Sequence, residues 1–269
     1  MKLWISIILL VFSCSGVSFA HNNLLQNDTV FNSVDEKGLK QGFWKKLYPN
    51  GNIRYTGQFI NNVPSGEFRR YYEEKGLQSI MRYSEDGKSS KIEFYYRNGE
   101  LAATGKYLGT KKDSAWKYYS YYGGFLSKEE NYTSGKKDGA SRDYYENEIA
   151  SQEIYWNGGI KHGPWKMWFS DEKPQLDANY VKGKLHGDFT TFYPDGTTEI
   201  HGIYQDNIRY GSWEYTDNKT KEVKIINYVN GLPENQSEID KQFQDTMEKY
   251  EQNKGKIKEP DLNEFNIKR

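Results

Sequence analysis

Four histidines and one cysteine are the side chains of this 269-residue sequence best suited to hold a metal or attack a substrate. Their spacing decides what they could do. His162 and His186 stand 24 residues apart, each just before a glycine. If one antiparallel hairpin separates them, they lie about 9.6 Å apart, two strand spacings. A metal needs ligands about 2 Å from itself, so this pair does not converge on one ion and reads as turn chemistry. His201 falls on a return strand and His21 near the N-terminus, neither with an obvious partner. No Gly-x-Ser-x-Gly, His-Glu-x-x-His or phosphate-binding loop occurs. Acidic pairs such as Glu73-Glu74 and Glu129-Glu130 fall at turns or beside lysines. They do not mark the kind of pocket that drives two carboxyl pKa values apart. The expectation is no enzyme, no cofactor and no metal.

Aromatic stacking is the chemistry that remains. Tyr71, Tyr95, Tyr119, Tyr144, Trp168 and Phe192 recur at intervals of 24 or 25 residues, with Leu47 one interval earlier. Neighbouring strand residues face opposite sides, so such a row can form a ledge while the row beside it is buried. A ledge of this kind suits sugar rings or an extended partner. The alternative is that the strands bend or bulge and both rows pack. A charged row (Lys45, Arg69, Glu93, Lys117, Arg142, Lys166) runs two residues earlier in each unit.

The elements that would position these rows follow from the same period. Gly42-Phe43-Trp44 recurs as Gly66-Glu67-Phe68, Ser114-Ala115-Trp116, Gly163-Pro164-Trp165, Gly187-Asp188-Phe189 and Gly211-Ser212-Trp213, with weaker copies at Ser90 and Gly139. A second row stands seven residues before each next start: Phe59, Tyr83, Tyr107, Tyr132, Trp156, Tyr180, Tyr204 and Tyr228. A third lies six after each start: Tyr48, Tyr72, Tyr96, Tyr145, Phe169 and Tyr193, interrupted by Ser120 and Asp217. Twenty-four residues hold two short strands and two turns, too few for a strand–helix crossover. Pro49-Asn50-Gly51, Arg97-Asn98-Gly99 and Pro194-Asp195-Gly196 supply the first turn of their units; Asn157-Gly158-Gly159, Lys182-Gly183 and Asn230-Gly231 supply the second. The predicted fold is all-β: eight antiparallel hairpins in one curved meander, a solenoid whose units bury their rings only against neighbours. Composition agrees, since 43 aromatic residues outnumber 41 Leu, Ile and Val. Balanced charge, 37 basic against 37 acidic residues, excludes a strongly basic nucleic-acid binder.

Gly42–Gly51, Lys161–Phe169 and Gly183–Gly196 carry Gly-x-Trp-x-x-x-Tyr, Asn-Gly or Asp-Gly turns and a Gly-Lys-Leu-His-Gly link. This pattern resembles the MORN repeat variant family over about residues 35–233. The resemblance implies an elongated hairpin array and protein–protein contact. Bacterial members are labelled antitoxins, and better-known MORN relatives associate with phospholipid membranes. Ser141, where the pattern has Trp, and Ser120 in the third row are departures that predict a weak centre or a bend.

The flanks differ from the array. Residues 1–20 read as a secretory signal: a basic residue, an apolar run from Leu3 to Phe12 too short to span a bilayer, and small residues ending at Ala20. Val11-Phe12-Ser13-Cys14 also resembles a lipoprotein box, so Cys14 is a candidate for lipidation, with cleavage after Ala20 as the other reading. Without paired cysteines there is no disulfide framework. Residues 21–34 read as a linker and 35–235 as the array. Ile239, Phe243, Met247 and Tyr250 have helical spacing, so residues 236–253 are expected to form a helix that caps the last hairpin, followed by a flexible tail over 254–269. The expected role is a non-catalytic scaffold exported to the periplasm, the outer membrane or cell surface, or the medium. Its partner would be another envelope protein; a glycan, or association with a membrane surface, is the alternative. Nucleic acid is not expected, and membrane attachment would come only through a lipid anchor.

Overall fold

A computed structural model describes residues 30–253. It contains 18 strands, each antiparallel to the next, in one open sheet, and one helix. A short edge strand β1 (Ser33–Val34) precedes eight hairpins. These are β2 (Lys40–Leu47) with β3 (Ile53–Ile60), β4 (Val63–Tyr71) with β5 (Leu77–Tyr83), β6 (Ser89–Tyr95) with β7 (Leu101–Leu108), and β8 (Lys111–Tyr119) with β9 (Leu126–Thr133). The second four are β10 (Lys136–Tyr144) with β11 (Ala150–Asn157), β12 (Ile160–Trp168) with β13 (Pro174–Val181), β14 (Lys184–Phe192) with β15 (Thr198–Gln205), and β16 (Ile208–Thr216) with β17 (Val223–Val229). A two-residue strand β18 (Leu232–Pro233) and helix α1 (Gln236–Asn253) close the chain. The fold is an antiparallel hairpin meander, as the period predicts.

Six of the eight repeat starts, those at residues 66, 114, 139, 163, 187 and 211, are bulges. Gly42, Gly66, Gly139, Gly163, Gly187 and Gly211 have positive φ, and Ser114 adopts the same conformation at 59°. The left-handed residue shifts the register against the preceding return strand, for instance between Ala178 and Tyr180 of β13. Ser90 is the exception: it is not left-handed, and β5 pairs β6 without a shift.

Both long margins of the ribbon are laced from unit to unit. At the first-turn margin, the third-row tyrosines 48, 72, 96, 145 and 193 donate hydroxyl hydrogen bonds to backbone carbonyls of Tyr71, Tyr95, Tyr119, Trp168 and Thr216, at 2.7–2.8 Å. Ser120 and Phe169 lack the phenol, and there the lace is missing. At the opposite margin, two-residue turns with both residues left-handed, such as Ser134-Gly135 and Lys182-Gly183, reach back to the preceding unit. The Gly135, Gly159 and Gly183 amides donate to the carbonyls of Lys112, Lys137 and Lys161, each at 2.8 Å.

The first turns place a left-handed residue at Gly51, Gly99 and Gly196, but at Glu148 and Glu172 (φ 65° and 67°) in two units. Glutamate in that region carries strain that glycine lacks, partly offset by glycine's greater freedom when unfolded. Glu172→Gly is therefore expected to raise stability by about 0.5–1 kcal/mol in denaturant titration; a loss of stability would refute this account of the turn.

Two expectations about the ends need correcting. Residues 31–34 are not a free linker: Ser33 and Val34 pair with Gln41 and Lys40, and the Asn32 amide donates to the Phe43 carbonyl at 2.9 Å. They cover the outer backbone groups of β2, which an end strand would otherwise expose. The helix forms as expected but does not cover the last hairpin, because Phe243 and Met247 remain 66% and 46% exposed. The cap there is β18, whose Leu232 and Pro233 pair with Val229 and Tyr228. Helical periodicity reveals an apolar stripe, not what the stripe meets. Residues 1–20, Cys14 and 254–269 lie outside the described residues.

Candidate functional site

The two faces of the sheet differ in chemistry. One carries the rings at the third residue of each unit. Trp116 and Trp213 are each 1% exposed. Each lies on a glycine of the strand before it: a Cβ on Gly105 or Gly202 would stand 2.3 Å from the indole. The indole N–H then donates to the adjoining carbonyl, of Lys106 at 3.0 Å or Ile203 at 3.3 Å. Second-row residues meet the rings edge-on, Tyr107 against Trp116 at 5.0 Å and Tyr204 against Trp213 at 4.9 Å.

A row of cations covers this face, and sequence reasoning missed it. Two residues before their unit starts, Lys40, Lys112, Lys161 and Arg209 place their charged heads 4.4–6.0 Å from the Trp44, Trp116, Trp165 and Trp213 rings. Lys137, at the same position, stands 4.7 Å from Trp156. The signal was a basic residue recurring in the 24-residue frame. Long aliphatic stems shield the rings while the heads reach water and interact with the π faces.

The ring row has two gaps. Ile92 fills the first with less volume, beside a cavity of about 410 Å³. Ser141 leaves the second, and there the face turns polar. Glu130, 7% exposed, takes the place that Gly105 holds in its unit. Its carboxylate accepts from Lys137 Nζ at 2.6 Å and from the Tyr132 hydroxyl at 2.7 Å. Burial pushes the carboxyl pKa up, but Lys137 and Tyr132 outweigh it and hold it below the usual range. The Tyr132 phenol is pushed up to about 12, by burial and by its bond to Glu130. The expected weak centre is a buried ion pair.

The opposite face is charged and self-paired. Arg69 and Arg82 share Glu67 at 2.6 and 3.0 Å, Arg82 also meets Glu93 at 2.6 Å, and Arg142 meets Glu153 at 2.5 Å. All six ledge candidates, Tyr71, Tyr95, Tyr119, Tyr144, Trp168 and Phe192, fall on this side by alternation, and all are half-buried. Each sits where the return strand bulges, as between Lys128 and Leu126 opposite Tyr118 and Tyr119. Neither aromatic row stands free of the sheet. The Tyr95 hydroxyl donates to Glu93 at 2.6 Å, a bond that lowers the carboxyl pKa and raises that of the phenol. Phe192 lines a shallow groove of about 640 Å³ with Lys166, Asp177, Thr190 and His201.

The three described histidines keep to turn and strand roles, His201 Nδ1 lying 3.1 Å from the Thr190 hydroxyl. His162 Nδ1 accepts the Lys182 amide at 3.4 Å, and His186 Nδ1 stands 3.4 Å from Asp206. Among the described residues no group of three or more His, Cys, Asp or Glu is placed to hold a metal ion, and no helix is long and apolar enough to cross a membrane. Among the described residues the most exposed ring is Tyr122, 81% exposed, in the enlarged turn that follows Ser120.

Residues 40–61 and 185–206 match the family model described as MORN repeat variant. Each match is one hairpin, β2–β3 and β14–β15. No curated protein matches the chain. Among solved structures, a crystal structure of an S. aureus TarM mutant in complex with Fondaparinux, alpha-GlcNAc-glycerol and UDP is similar at 12% identity and a TM-score of 0.20. The likeness covers 41% of this chain and 19% of that one, and carries no argument about this chain.

Proposed function

With two of its hairpins matching the MORN repeat variant, we propose that this chain is a non-catalytic scaffold, exported to the cell envelope, that binds another envelope protein along its sheet. One observation carries the reading: eight hairpins spend their ring contacts on each other and leave a long ribbon with two accessible faces. The groove beside Phe192 is shallow and lined by the ion pair of Lys166 and Asp177, a surface suited to an extended partner rather than to enclosing a substrate. Export rests on the signal-like residues 1–20, and lipid attachment at Cys14 would be the route to a membrane. The test is to immobilise the chain, incubate it with envelope extract and identify what is retained, with and without glycosidase treatment. Retention of one discrete protein that survives glycosidase is the expected result. Turnover of an envelope substrate, abolished by one polar substitution, would overturn it.

A glycan is the second reading, favoured by six aromatic residues at one position of successive hairpins on the polar face. Joint replacement of Tyr71, Tyr95 and Tyr119 by Ala would then abolish glycan retention with little change in the unfolding midpoint. Loss of both together would assign the row to packing alone.

A further inference from the structure

The gap at Ile92 has an apolar floor, unlike the gap at Ser141. Its open cavity of about 410 Å³ is walled by Met81, Tyr83, Ile92, Phe94 and Tyr107, with Gln78, Ser79, Ser90 and Thr110 at its polar margin. Arg70 stands at its lining, its charge near the Tyr83 phenol, and its side chain makes no hydrogen bond or ion pair among the described residues. Unit three has Ile where six of the eight units carry a ring, and its start lacks a bulge against β5. The site is complementary to an aromatic side chain presented beside a carboxylate.

The chain itself carries such a group. Helix α1 exposes Phe243, with Asp240 one turn before it and Met247 one turn after, on one stripe. Its 18 residues include Glu238, Asp240, Asp245, Glu248 and Glu251 against Lys241 and Lys249, an acidic balance opposite to the cations of the ring face. The helix cannot reach its own cavity. Pro233 is pinned to Tyr228 at the far end of the array, six units from Ser90. Six units span about 58 Å at two strand spacings each, whereas Phe243 lies eight residues past Asn235, about 12 Å of helix.

We infer that two copies of this chain associate by exchange of α1, each inserting Phe243 into the other's cavity over Ile92, with Asp240 facing Arg70. Exchange makes the two contacts equivalent and closes the pair, as a two-fold dimer requires. The inference does not depend on which envelope partner the scaffold binds.

Sedimentation equilibrium of the full chain tests it. The expected species is a dimer, and Phe243→Ala, on an exposed helix face, weakens it at least roughly tenfold without moving the unfolding midpoint. Ile92→Trp, which fills the gap, has the same effect, and the double variant is no weaker than either single one. Photo-crosslinking from position 243 in a mixture of heavy- and light-isotope chains is expected to link unlike copies, at residues 81–94. A monomer throughout the micromolar range, a dimer indifferent to Phe243→Ala, or cross-links confined to one copy would each overturn the inference.

Discussion

Trp116→Ala is expected to lower stability by about 3–5 kcal/mol, the range for removing a fully buried large aromatic, and to split the unfolding transition in two. The ring is 1% exposed, meets Tyr107 edge-on at 5.0 Å, stacks near Tyr118 at 6.3 Å and lies under Lys112 Nζ at 4.4 Å. In a linear array each unit leans only on its neighbours, so weakening one interior join uncouples the hairpins on either side. The same substitution at Trp44, half-buried in the first unit, should cost less and leave one transition. Gly105→Ala attacks the join from below, since its Cβ would stand 2.3 Å from the Trp116 ring, and should cost about 1–3 kcal/mol through overpacking. Denaturant titration followed by circular dichroism checks all three. A single transition with less than about 1 kcal/mol lost for Trp116→Ala would show that the ring row does not couple the units.

The second large effect concerns the buried pair at the centre. Glu130→Gln is expected to cost about 3–5 kcal/mol, because it leaves the Lys137 ammonium without its counter-charge in a site where the carboxylate was 7% exposed. Its sign with pH is fixed. The folded carboxyl pKa lies below the unfolded value, so the pair's contribution is complete above the unfolded pKa and is lost as pH falls through the folded one. The deficit of Glu130→Gln should therefore be constant near neutrality and shrink on acidification below about pH 4. A deficit that grew with acid would contradict it. The geometry also indicates a replacement for the pair. Glu130 precedes Ser141 by eleven residues, as Gly105 precedes Trp116 and Gly202 precedes Trp213. Ser141→Trp alone would drive an indole onto the Glu130 side chain. Combined with Glu130→Gly it should recover most of the lost stability, with Lys137 above the new ring as Lys112 is above Trp116. The Ser141 hydroxyl is buried with no partner among the described residues, so its removal adds no unmet hydrogen bond.

Most of the fold was legible because the period registers three aromatic rows at once, and only a hairpin satisfies all three within 24 residues. The rows then located the strand starts, the turns and, through Ser120, the one unit whose first turn carries exposed Tyr121 and Tyr122. Three things were not legible. The cation row was present in the frame at Lys40, Lys112, Lys137, Lys161 and Arg209, but a lysine beside a turn reads as solvated until a ring is seen beneath it. Ser141 reads as a defect until Glu130, far from it in a single repeat but adjacent across the join, is placed against Lys137. Alternation left a ledge and a bulge both open for the row from Tyr71 to Phe192; the bulge opposite each of its residues tucks them half into the sheet, and no propensity marks its place on the opposite strand.

The lacing of both margins bears on how the ribbon behaves under tension. Its strands run across the long axis, so a pull on the two ends meets ladder hydrogen bonds one pair after another, as in unfastening a zip, rather than all together. Each hairpin that yields converts about 9.6 Å of folded length into roughly 80 Å of extended chain. The tyrosine hydroxyls at one margin and the turn amides at the other resist that opening at every unit they span. Resistance is lowest where a phenol is missing, at Ser120 and Phe169. Stretched between two attachment points, the molecule would lengthen in discrete steps from those units outward, and limit the force passed from one end to the other.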